Sequence, residues 1–273
     1  MAMIEAYKMD GLGNEFLIID RRSYPINLSK EKIIKLGKRE EVGFDQVIFI
    51  DKEIKNISPI TIFNSDGNEV TACGNGSRCV AYLLSKEKKI NNIFLKTNER
   101  TLEAEITDNM MVKIKMGKPI FDWEKIPLSE SFDYQNIDIQ LEGQKKFNNG
   151  FALNIGNPHI IFFVKDCYDI NLEKIGPIIE NHSIFPKKCN VTFAQVIDKN
   201  NILVNVWERG AGLTKACGTA ACAVAVAANT KGLSNNKVNI KFTQGALEIE
   251  YGSDQNVFMK GPVSEVNKIK LEI

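Results

Sequence analysis

The sequence has little that would mark a secreted, membrane-bound or nucleic-acid-binding protein. Its 273 residues carry 35 Lys and Arg against 34 Asp and Glu, a formal charge of +1, and no basic block that would attract nucleic acid or an anionic membrane. No apolar run approaches the ~20 residues of a membrane span, and the N-terminal residues lack the basic and then apolar layout of a signal peptide. We therefore expect a cytoplasmic protein whose partner is a small molecule, with no nucleic acid or membrane bound.

Cysteine and histidine are too scattered for a metal centre or a disulfide framework. The chain has 6 Cys and 2 His, with no Cys-x-x-Cys pair and no Cys/His set at zinc spacing. It also lacks the glycine-rich loops that bind nucleotide phosphates. We expect reduced thiols, no metal and no cofactor.

What the sequence does contain is a short repeated motif. Ala-Cys-Gly occurs around Cys73 and again around Cys217, each time after a polar, glycine-containing stretch and before an apolar run. A duplicated unit of this size predicts two similar domains related by a pseudo-twofold axis, with one cysteine on either side of a cleft. The length agrees, since domains average about 100–200 residues. Two facing thiols suggest proton chemistry on both sides of a bound molecule.

Hydrophobic periodicity predicts many short strands and two helices. The helices are expected at residues 76–89 and from 219 to about 229. Strands are expected at 6–9, 16–20, 46–50, 60–64, 93–96, 101–106, 111–116, 151–154, 159–163, 192–197, 202–207, 238–242, 246–251 and 255–260. The predicted fold is α+β, with two pseudo-symmetric domains, each a mostly antiparallel sheet wrapped around a central helix. The first domain is predicted to comprise 1–117 and 263–273, and the second 118–262.

Cys73 and Cys217 each stand at the start of a predicted helix. The first turn of a helix has unpaired N–H groups and a partial positive charge, which stabilise a thiolate or bind a carboxylate. Gly74, Gly76 and Gly218 keep the approach to these N–H groups open. The other four cysteines lack this context and are expected to pack in the core: Cys79, Cys167, Cys189 and Cys222.

Three longer motifs resemble those of the diaminopimelate epimerase family. They are Asn64-Ser-Asp-Gly-Asn-Glu-Val-Thr-Ala-Cys-Gly-Asn-Gly-Ser-Arg-Cys79, Gly156-Asn-Pro-His159 and Glu208-Arg-Gly-Ala-Gly-Leu-Thr-Lys-Ala-Cys-Gly-Thr219. The resemblance extends over essentially the whole chain. It implies a homodimeric enzyme, independent of pyridoxal phosphate, that interconverts LL- and meso-2,6-diaminoheptanedioate in lysine and cell-wall precursor biosynthesis.

The resemblance also assigns roles to residues. It implies that Cys73 is the proton donor and Cys217 the proton acceptor, one on each face of the substrate α-carbon, with His159 and Glu208 tuning the thiols. The implied substrate contacts are mostly amides and helix-terminal residues: Asn14, Gln46, Asn64, Gly74, Asn75, Asn157, Asn190, Glu208, Arg209, Gly218 and Thr219. The donor and acceptor labels hold for one direction of reaction, because the two similar motifs do not distinguish the resting thiolate.

The chemistry of these residues agrees with the implied roles. Inversion of an amino-acid α-carbon needs a base on one face and an acid on the other, because a single base tends to return the proton to its original side. Arg209 suits a distal carboxylate and Glu208 suits an ammonium group. His159 precedes an apolar strand and could equally be structural, whereas His182 has no such context and is expected at the surface.

Two alternatives stay open. A proline or hydroxyproline racemase on the same scaffold usually carries histidine after the first Cys-Gly, where this chain has Asn75, and lacks the Glu-Arg-Gly-Ala-Gly motif that contains Arg209. A thiol redox or metal-binding protein is a more remote alternative, because its usual cysteine spacings are missing.

Overall fold

The protein is described by a computed structural model that covers residues 3–71, 73–98, 100–141 and 146–273. The chain divides into two compact units. Unit 1 is Met1–Lys115 with Lys260–Ile273, and unit 2 is Met116–Met259. That the two are copies of one epimerase-like domain, divided after residues 117 and 262, stays a prediction.

Unit 1 combines short strands with the helices α1 (Lys30–Gly37) and α2 (Gly74–Lys88). Its strands are β1 (Met3–Asp10), β2 (Glu15–Asp20), β3 (Gln46–Ile50), β4 (Ile57–Asn64), β5 (Glu69–Val70), β6 (Asn92–Lys96), β7 (Thr101–Asp108), β8 (Met111–Gly117) and β18 (Asn267–Glu272). Most pairs are antiparallel, but β2 pairs with β3 and β4 with β6 in parallel. In this register Gln46, the first residue of β3, lies directly opposite Asn64, the last residue of β4.

Unit 2 repeats this construction with the helices α3 (Leu172–Glu180) and α4 (Gly218–Thr230). Its strands are β9 (Ile137–Gln140), β10 (Lys146–Asn154), β11 (Pro158–Phe163), β12 (Asn190–Asp198), β13 (Asn201–Glu208), β14 (Gly212–Leu213), β15 (Lys237–Phe242), β16 (Gly245–Tyr251) and β17 (Val257–Pro262). β11 pairs with β12 and β13 with β15 in parallel, whereas the pairs β9–β10, β10–β11, β12–β13, β13–β14 and β15–β16 are antiparallel. The parallel register places His159 opposite Asn190.

Each unit encloses one helix within its strands. Residues 75–85 of α2 are all buried, and the helix contacts β1, β3, β6 and β7. α4 is buried along almost its whole length and contacts β10, β11, β12, β15 and β16. Alanine and valine dominate α4, and their small side chains allow strands to approach it on all sides. The predicted α+β class, with a sheet around a central helix in each half, is confirmed.

The prediction of one helix per half was wrong, because α1 and α3 also form in the described residues. α1 spans only 8 residues with Ile33 and Leu36 buried, which is too few positions for a clear helical period. α3 contains Pro177, which sequence rules treat as a helix breaker. Asn171 starts α3 as its N-cap by accepting a hydrogen bond from the Lys174 N–H.

Each unit has its own apolar core away from the enclosed helix. In unit 1, α1 packs through Ile33 and Leu36 on the outer face of β2 and β3. In unit 2, α3 packs through Ile175 and Ile179 on residues of β11 and β12. Within the described part of the chain, no helix is both long and apolar enough to cross a membrane.

Candidate active site

In unit 1, Cys73 is the N-cap residue of α2. Its extended backbone (φ −145°, ψ 113°) turns the side chain over the first helical turn, where Sγ accepts a hydrogen bond from the Gly76 N–H at 3.4 Å. The thiol also lies 3.9 Å from Oδ1 of Asn14, which can accept its proton in a hydrogen bond. Cys73 is half-buried, so a ligand can reach its sulfur. A helix N-terminal N–H is the kind of donor that a thiolate accepts.

Two hydrogen-bonded pairs of polar side chains lie in the same unit, Asn14 with Asp45 and Gln46 with Asn64. The Asn14 Nδ2 donates to Oδ2 of Asp45 at 3.1 Å, which directs its Oδ1 toward Cys73. Next along the chain, the Gln46 Nε2 donates to Oδ1 of Asn64 at 2.9 Å. The buried Oε1 of Gln46 has no hydrogen-bond partner among the described residues. A buried acceptor of this kind is costly unless a ligand donor, such as an ammonium group, completes it.

The first turn of α2 lies tightly against the turn between β1 and β2. A Cβ built on Gly11 would lie 3.3 Å from the backbone oxygen of Asn75, and one built on Gly76 would lie 2.5 Å from Cδ1 of Ile48. Asn75 is 3% exposed. The small residues Gly11 and Gly76 therefore let the helix N-terminus, with its N–H groups, approach the turn that carries Asn14 and the strand that carries Gln46.

In unit 2, Cys217 is the N-cap residue of α4 and is more deeply buried, at 5% exposure. Its Sγ lies 3.4 Å from Oγ1 of Thr219. Burial raises the pKa of the Cys217 thiol well above its usual value, and the negative charge of Glu208 raises it further, whereas Thr219 and the Ala220 N–H act in the opposite direction. Without substrate, Cys217 is therefore a protonated thiol.

Glu208 is the partner of that thiol. It ends β13, and burial raises the pKa of its carboxyl, while Thr214 and Cys217 act to lower it. The two acidic groups lie close enough for the charge of Glu208 to raise the pKa of Cys217, and two adjacent negative charges there are unfavourable. The pair therefore holds at least one proton near neutral pH.

His159 is fully buried on β11. Burial lowers its pKa to about 3, with a further contribution from the charge of Arg209, so the imidazole is neutral at physiological pH. Its Nε2 lies 2.8 Å from Oδ1 of Asn157, which can only accept, and so Nε2 carries the proton. Nδ1 has no hydrogen-bond partner within the described ranges, which leaves a neutral ring nitrogen able to accept a hydrogen bond.

Asn190 connects the strands around His159 to Arg209. Its Nδ2 donates to the Pro158 carbonyl at 2.8 Å, and its Oδ1 accepts from the Arg209 N–H at 2.9 Å. Asn190 is 2% exposed, so its side chain is a buried link between two backbone segments and is not open to solvent. The Arg209 guanidinium is exposed and donates to the Lys187 carbonyl at 3.2 Å.

Taken by unit, the structure brings the predicted residues into two groups. Unit 1 groups Cys73, Gly74 and Asn75 with the amides of Asn14, Gln46 and Asn64, and unit 2 groups the remaining predicted residues: Asn157, His159, Asn190, Glu208, Arg209, Cys217, Gly218 and Thr219. Their roles toward substrate stay a prediction.

Sequence reasoning missed two acidic residues that contact these groups. Asp45 holds Asn14, and Glu180 accepts hydrogen bonds on both sides of the Glu208–Arg209 pair. Asp45 directly precedes Gln46, and Glu180 ends a helix that the sequence did not reveal. Neither belongs to a motif, so contacts in the folded chain were needed to find them.

The other cysteines and the second histidine lie elsewhere. The four remaining thiols are fully buried, as predicted: Cys79, Cys167, Cys189 and Cys222. All six cysteines are reduced thiols. His182, expected at the surface, is half-buried, and its Nδ1 accepts from the Ile184 N–H. No cluster of three or more His, Cys, Asp or Glu suited to a metal ion occurs among the residues that the structure covers.

Comparison with known proteins decides the family. A family model described as diaminopimelate epimerase matches residues 6–121 and 151–266. The chain belongs to the diaminopimelate epimerase family. A diaminopimelate epimerase from Pelagibacter ubique is 50% identical over 272 residues, which cover 99% of each chain. The predicted family and its enzyme class, an isomerase, are confirmed.

Solved structures support the fold of this family at much lower sequence identity. A phenazine biosynthesis protein of the PhzF family from Bacillus anthracis is 15% identical, with a TM-score of 0.68 and 100% coverage of both chains. A hydroxyproline epimerase from Agrobacterium vitis, solved with trans-4-hydroxy-L-proline, is 12% identical, with a TM-score of 0.66 and coverage of 99% and 93%. At such identities the likeness concerns the fold alone.

Proposed function

We propose that this protein interconverts LL- and meso-2,6-diaminoheptanedioate by moving a proton between two cysteines, without a cofactor. The observation that carries this proposal is that each unit has a cysteine as N-cap of its enclosed helix, in a chain of the diaminopimelate epimerase family. In one direction Cys217 removes the α-proton and Cys73 delivers a proton to the opposite face. The reverse direction exchanges the two roles.

Glu208 prepares Cys217 for this step. Since Cys217 rests as a thiol, it must lose its proton before it can act as a base. Transfer of that proton to the Glu208 carboxylate leaves the total charge of the pair unchanged, and the neutral carboxyl no longer repels the thiolate. The raised pKa of Glu208 makes it a stronger base for this transfer. After the α-proton is taken, Cys217 is a thiol again.

The helix N-termini stabilise the carbanion. Removal of the α-proton moves negative charge onto the substrate carboxylate, and N–H groups fixed at a helix N-terminus stabilise that charge without reorganising. Gly74 and Asn75 supply such groups in α2, and Gly218 and Thr219 supply them in α4. The distal amino and carboxylate groups suit Gln46 Oε1, Glu208 and the exposed Arg209 guanidinium.

The setting is proposed on the family resemblance. We assign the enzyme to lysine and cell-wall precursor biosynthesis in the cytoplasm, and to a homodimer. The roles of His159 and Asn157 are supporting: the neutral imidazole offers an acceptor at Nδ1 once Asn157 fixes its tautomer.

The decisive test is an epimerisation assay with LL-diaminopimelate, without added pyridoxal phosphate or metal. In deuterium oxide, the product is expected to carry deuterium at the inverted carbon, with little label in recovered substrate early on, because the second thiol delivers the solvent-derived proton. Cys73→Ser and Cys217→Ser should each abolish epimerisation. Equal early labelling of substrate and product would indicate one exposed base.

The substrate class is tested in the same assay with L-proline and trans-4-hydroxy-L-proline. Neither has a distal amino-carboxylate group for Arg209 and Glu208 to bind, so both are expected to be poor substrates. Efficient racemisation of proline, with no turnover of diaminopimelate, would replace the proposed function with that of a proline-type racemase.

A further inference from the structure

Glu180 contacts both ends of a two-residue segment that carries two of the proposed substrate-binding side chains. It is the last residue of α3 and is 5% exposed. Its Oε2 accepts a hydrogen bond from the Trp207 indole Nε1–H at 2.7 Å, and its Oε1 accepts from the Gly210 backbone N–H at 3.0 Å. Trp207 and Gly210 directly flank Glu208 and Arg209 in the chain. One carboxylate therefore fixes the segment before and after these two residues.

The helix that carries Glu180 is itself pressed against this segment. Gly176 lies one turn earlier on the same face of α3, and a Cβ built there would lie 2.5 Å from Cγ of the Trp207 indole. Because Gly176 has no side chain, α3 can contact the Trp207 ring directly, and Glu180 can then reach the ring nitrogen. Packing of α3 against the indole ring therefore fixes the position of the Glu180 carboxylate. The two hydrogen bonds of this carboxylate in turn fix the position of residues 207–210.

A carboxylate is the group that this arrangement requires. Both of its oxygens accept hydrogen bonds and neither donates, so it can serve two N–H donors that approach from different directions. Lys188 lies 4.0 Å from Oε1, but its side chain is 55% exposed and water screens its charge. The hydrogen bonds from Trp207 and Gly210 therefore supply the close compensation for the buried charge.

We propose that Glu180 is a positioning residue, which holds Glu208 and Arg209 in the geometry that binds substrate. This inference rests on the proposed function. Glu180 acts through the Trp207 side chain on one side of the segment and the Gly210 backbone on the other, and contacts no substrate itself. Loss of one of its acceptors would let the segment shift, which weakens binding of the distal substrate groups through Arg209 and slows the proton transfer through Glu208.

Glu180→Gln tests this with little change of shape. The amide NH₂ replaces one acceptor and faces an N–H donor, so one hydrogen bond is lost. We expect KM for LL-diaminopimelate to rise on the order of tenfold, as for loss of a charged hydrogen bond, and kcat to fall as well, because Glu208 moves with Arg209. Glu173→Gln makes the same chemical change in the exposed first turn of α3 and should leave both constants unchanged.

Two further variants separate positioning from general damage to the fold. Trp207→Phe removes the indole N–H. In the Glu180→Gln background, the amide NH₂ can then face the ring while the amide oxygen still accepts from Gly210. KM of this double variant should therefore recover to within about threefold of the parent. In an Arg209→Ala background, Glu180→Gln should raise KM much less than in the parent.

The possible failures are distinguishable. A parent protein that does not epimerise diaminopimelate contradicts the proposed function. An active parent with an unchanged KM in Glu180→Gln overturns the positioning role. So does an equal rise in KM in the Arg209→Ala background, because the effect would then not pass through Arg209. Should Glu180→Gln fail to fold, Glu180→Asp, which draws the carboxylate back from both donors, tests the same contacts, and an unchanged KM in it contradicts the inference.

Discussion

At the scale of single residues, the two repeated cysteines differ in their surroundings although their motifs are similar. Cys73 is half-buried and accepts a hydrogen bond from the Gly76 N–H. Cys217 is buried next to Glu208, and both burial and that charge raise its pKa. The repeat predicted equivalent thiols, whereas burial and the charge of Glu208 act on Cys217 and make the two unequal.

This difference gives a prediction for Glu208→Gln. Removal of the carboxylate charge lowers the pKa of Cys217, because an anion beside the thiol disfavours its ionised form. The rate at which iodoacetamide alkylates Cys217, read by peptide mapping, should therefore rise at lower pH than in the parent. The same variant should lose most of its kcat, since the carboxylate that takes the proton from Cys217 is gone.

Cys73 in the same samples is the internal control, since its alkylation profile should stay unchanged. If the Cys217 profile instead stays in place or moves to higher pH, Glu208 does not act on this thiol.

His159 gives a prediction for stability against pH. Its pKa is about 3 in the folded chain against an ordinary value of 6.5, so between these values the unfolded chain binds the additional proton. Its contribution is therefore complete above pH 6.5 and is lost as the pH falls toward 3. Between pH 6.5 and 5 the loss is about 2 kcal/mol of unfolding free energy, at about 1.36 kcal/mol per pH unit.

Urea unfolding of His159→Gln and His182→Gln at pH 7 and pH 5 checks this. His159→Gln should remove this part of the acid dependence, whereas His182→Gln should retain it. An equal pH dependence in His159→Gln and the parent would show that His159 is not held neutral by burial.

At the scale of elements, the first turn of α2 depends on a glycine. A Cβ on Gly76 would lie 2.5 Å from Cδ1 of Ile48 and 3.1 Å from Cε1 of Phe16. Gly76→Ala should therefore destabilise the protein by about 1–3 kcal/mol through overpacking, although alanine favours a helix by about 1 kcal/mol over glycine. The displaced turn should also weaken the contact with Cys73 and lower kcat.

Chemical unfolding of Gly76→Ala, Ile48→Val and the double variant tests the cause. Ile48→Val removes the methyl group that the new Cβ would meet, so the double variant should be more stable than the two single losses predict when added. Strict additivity, or a Gly76→Ala variant as stable as the parent, would contradict the close contact.

The elements also show where local sequence is sufficient. β3 lies at 46–50, as alternation of branched residues predicts, and α4 starts one residue before its predicted position. α1 and α3 were not predicted, because the helical pattern of α1 is short and that of α3 is interrupted by proline. Burial against the outer sheet faces stabilises both helices instead. Glu180 was not predicted either, because the helix that ends with it was not predicted.

At the scale of the whole molecule, the proposed mechanism requires the two thiols to approach one α-carbon from opposite faces. Without substrate, we expect oxidised glutathione to convert them to a Cys73–Cys217 disulfide, with two glutathione thiols released. Activity should fall, return with dithiothreitol, and be protected by bound substrate. Peptide mapping checks the pairing: if activity is lost while both cysteines stay reduced or pair with others, the two thiols do not face one another.

The sequence by itself determined the family, the α+β class and the two motifs that start helices, because these depend on glycines, cysteines and apolar periods within short windows. Only the tertiary structure decided which side chains surround each thiol. Asp45 contacts Asn14, and Glu180 contacts Trp207 and Gly210. Such contacts join distant parts of the chain, and burial, which sets the pKa of Cys217 and His159, is a property of the packed fold.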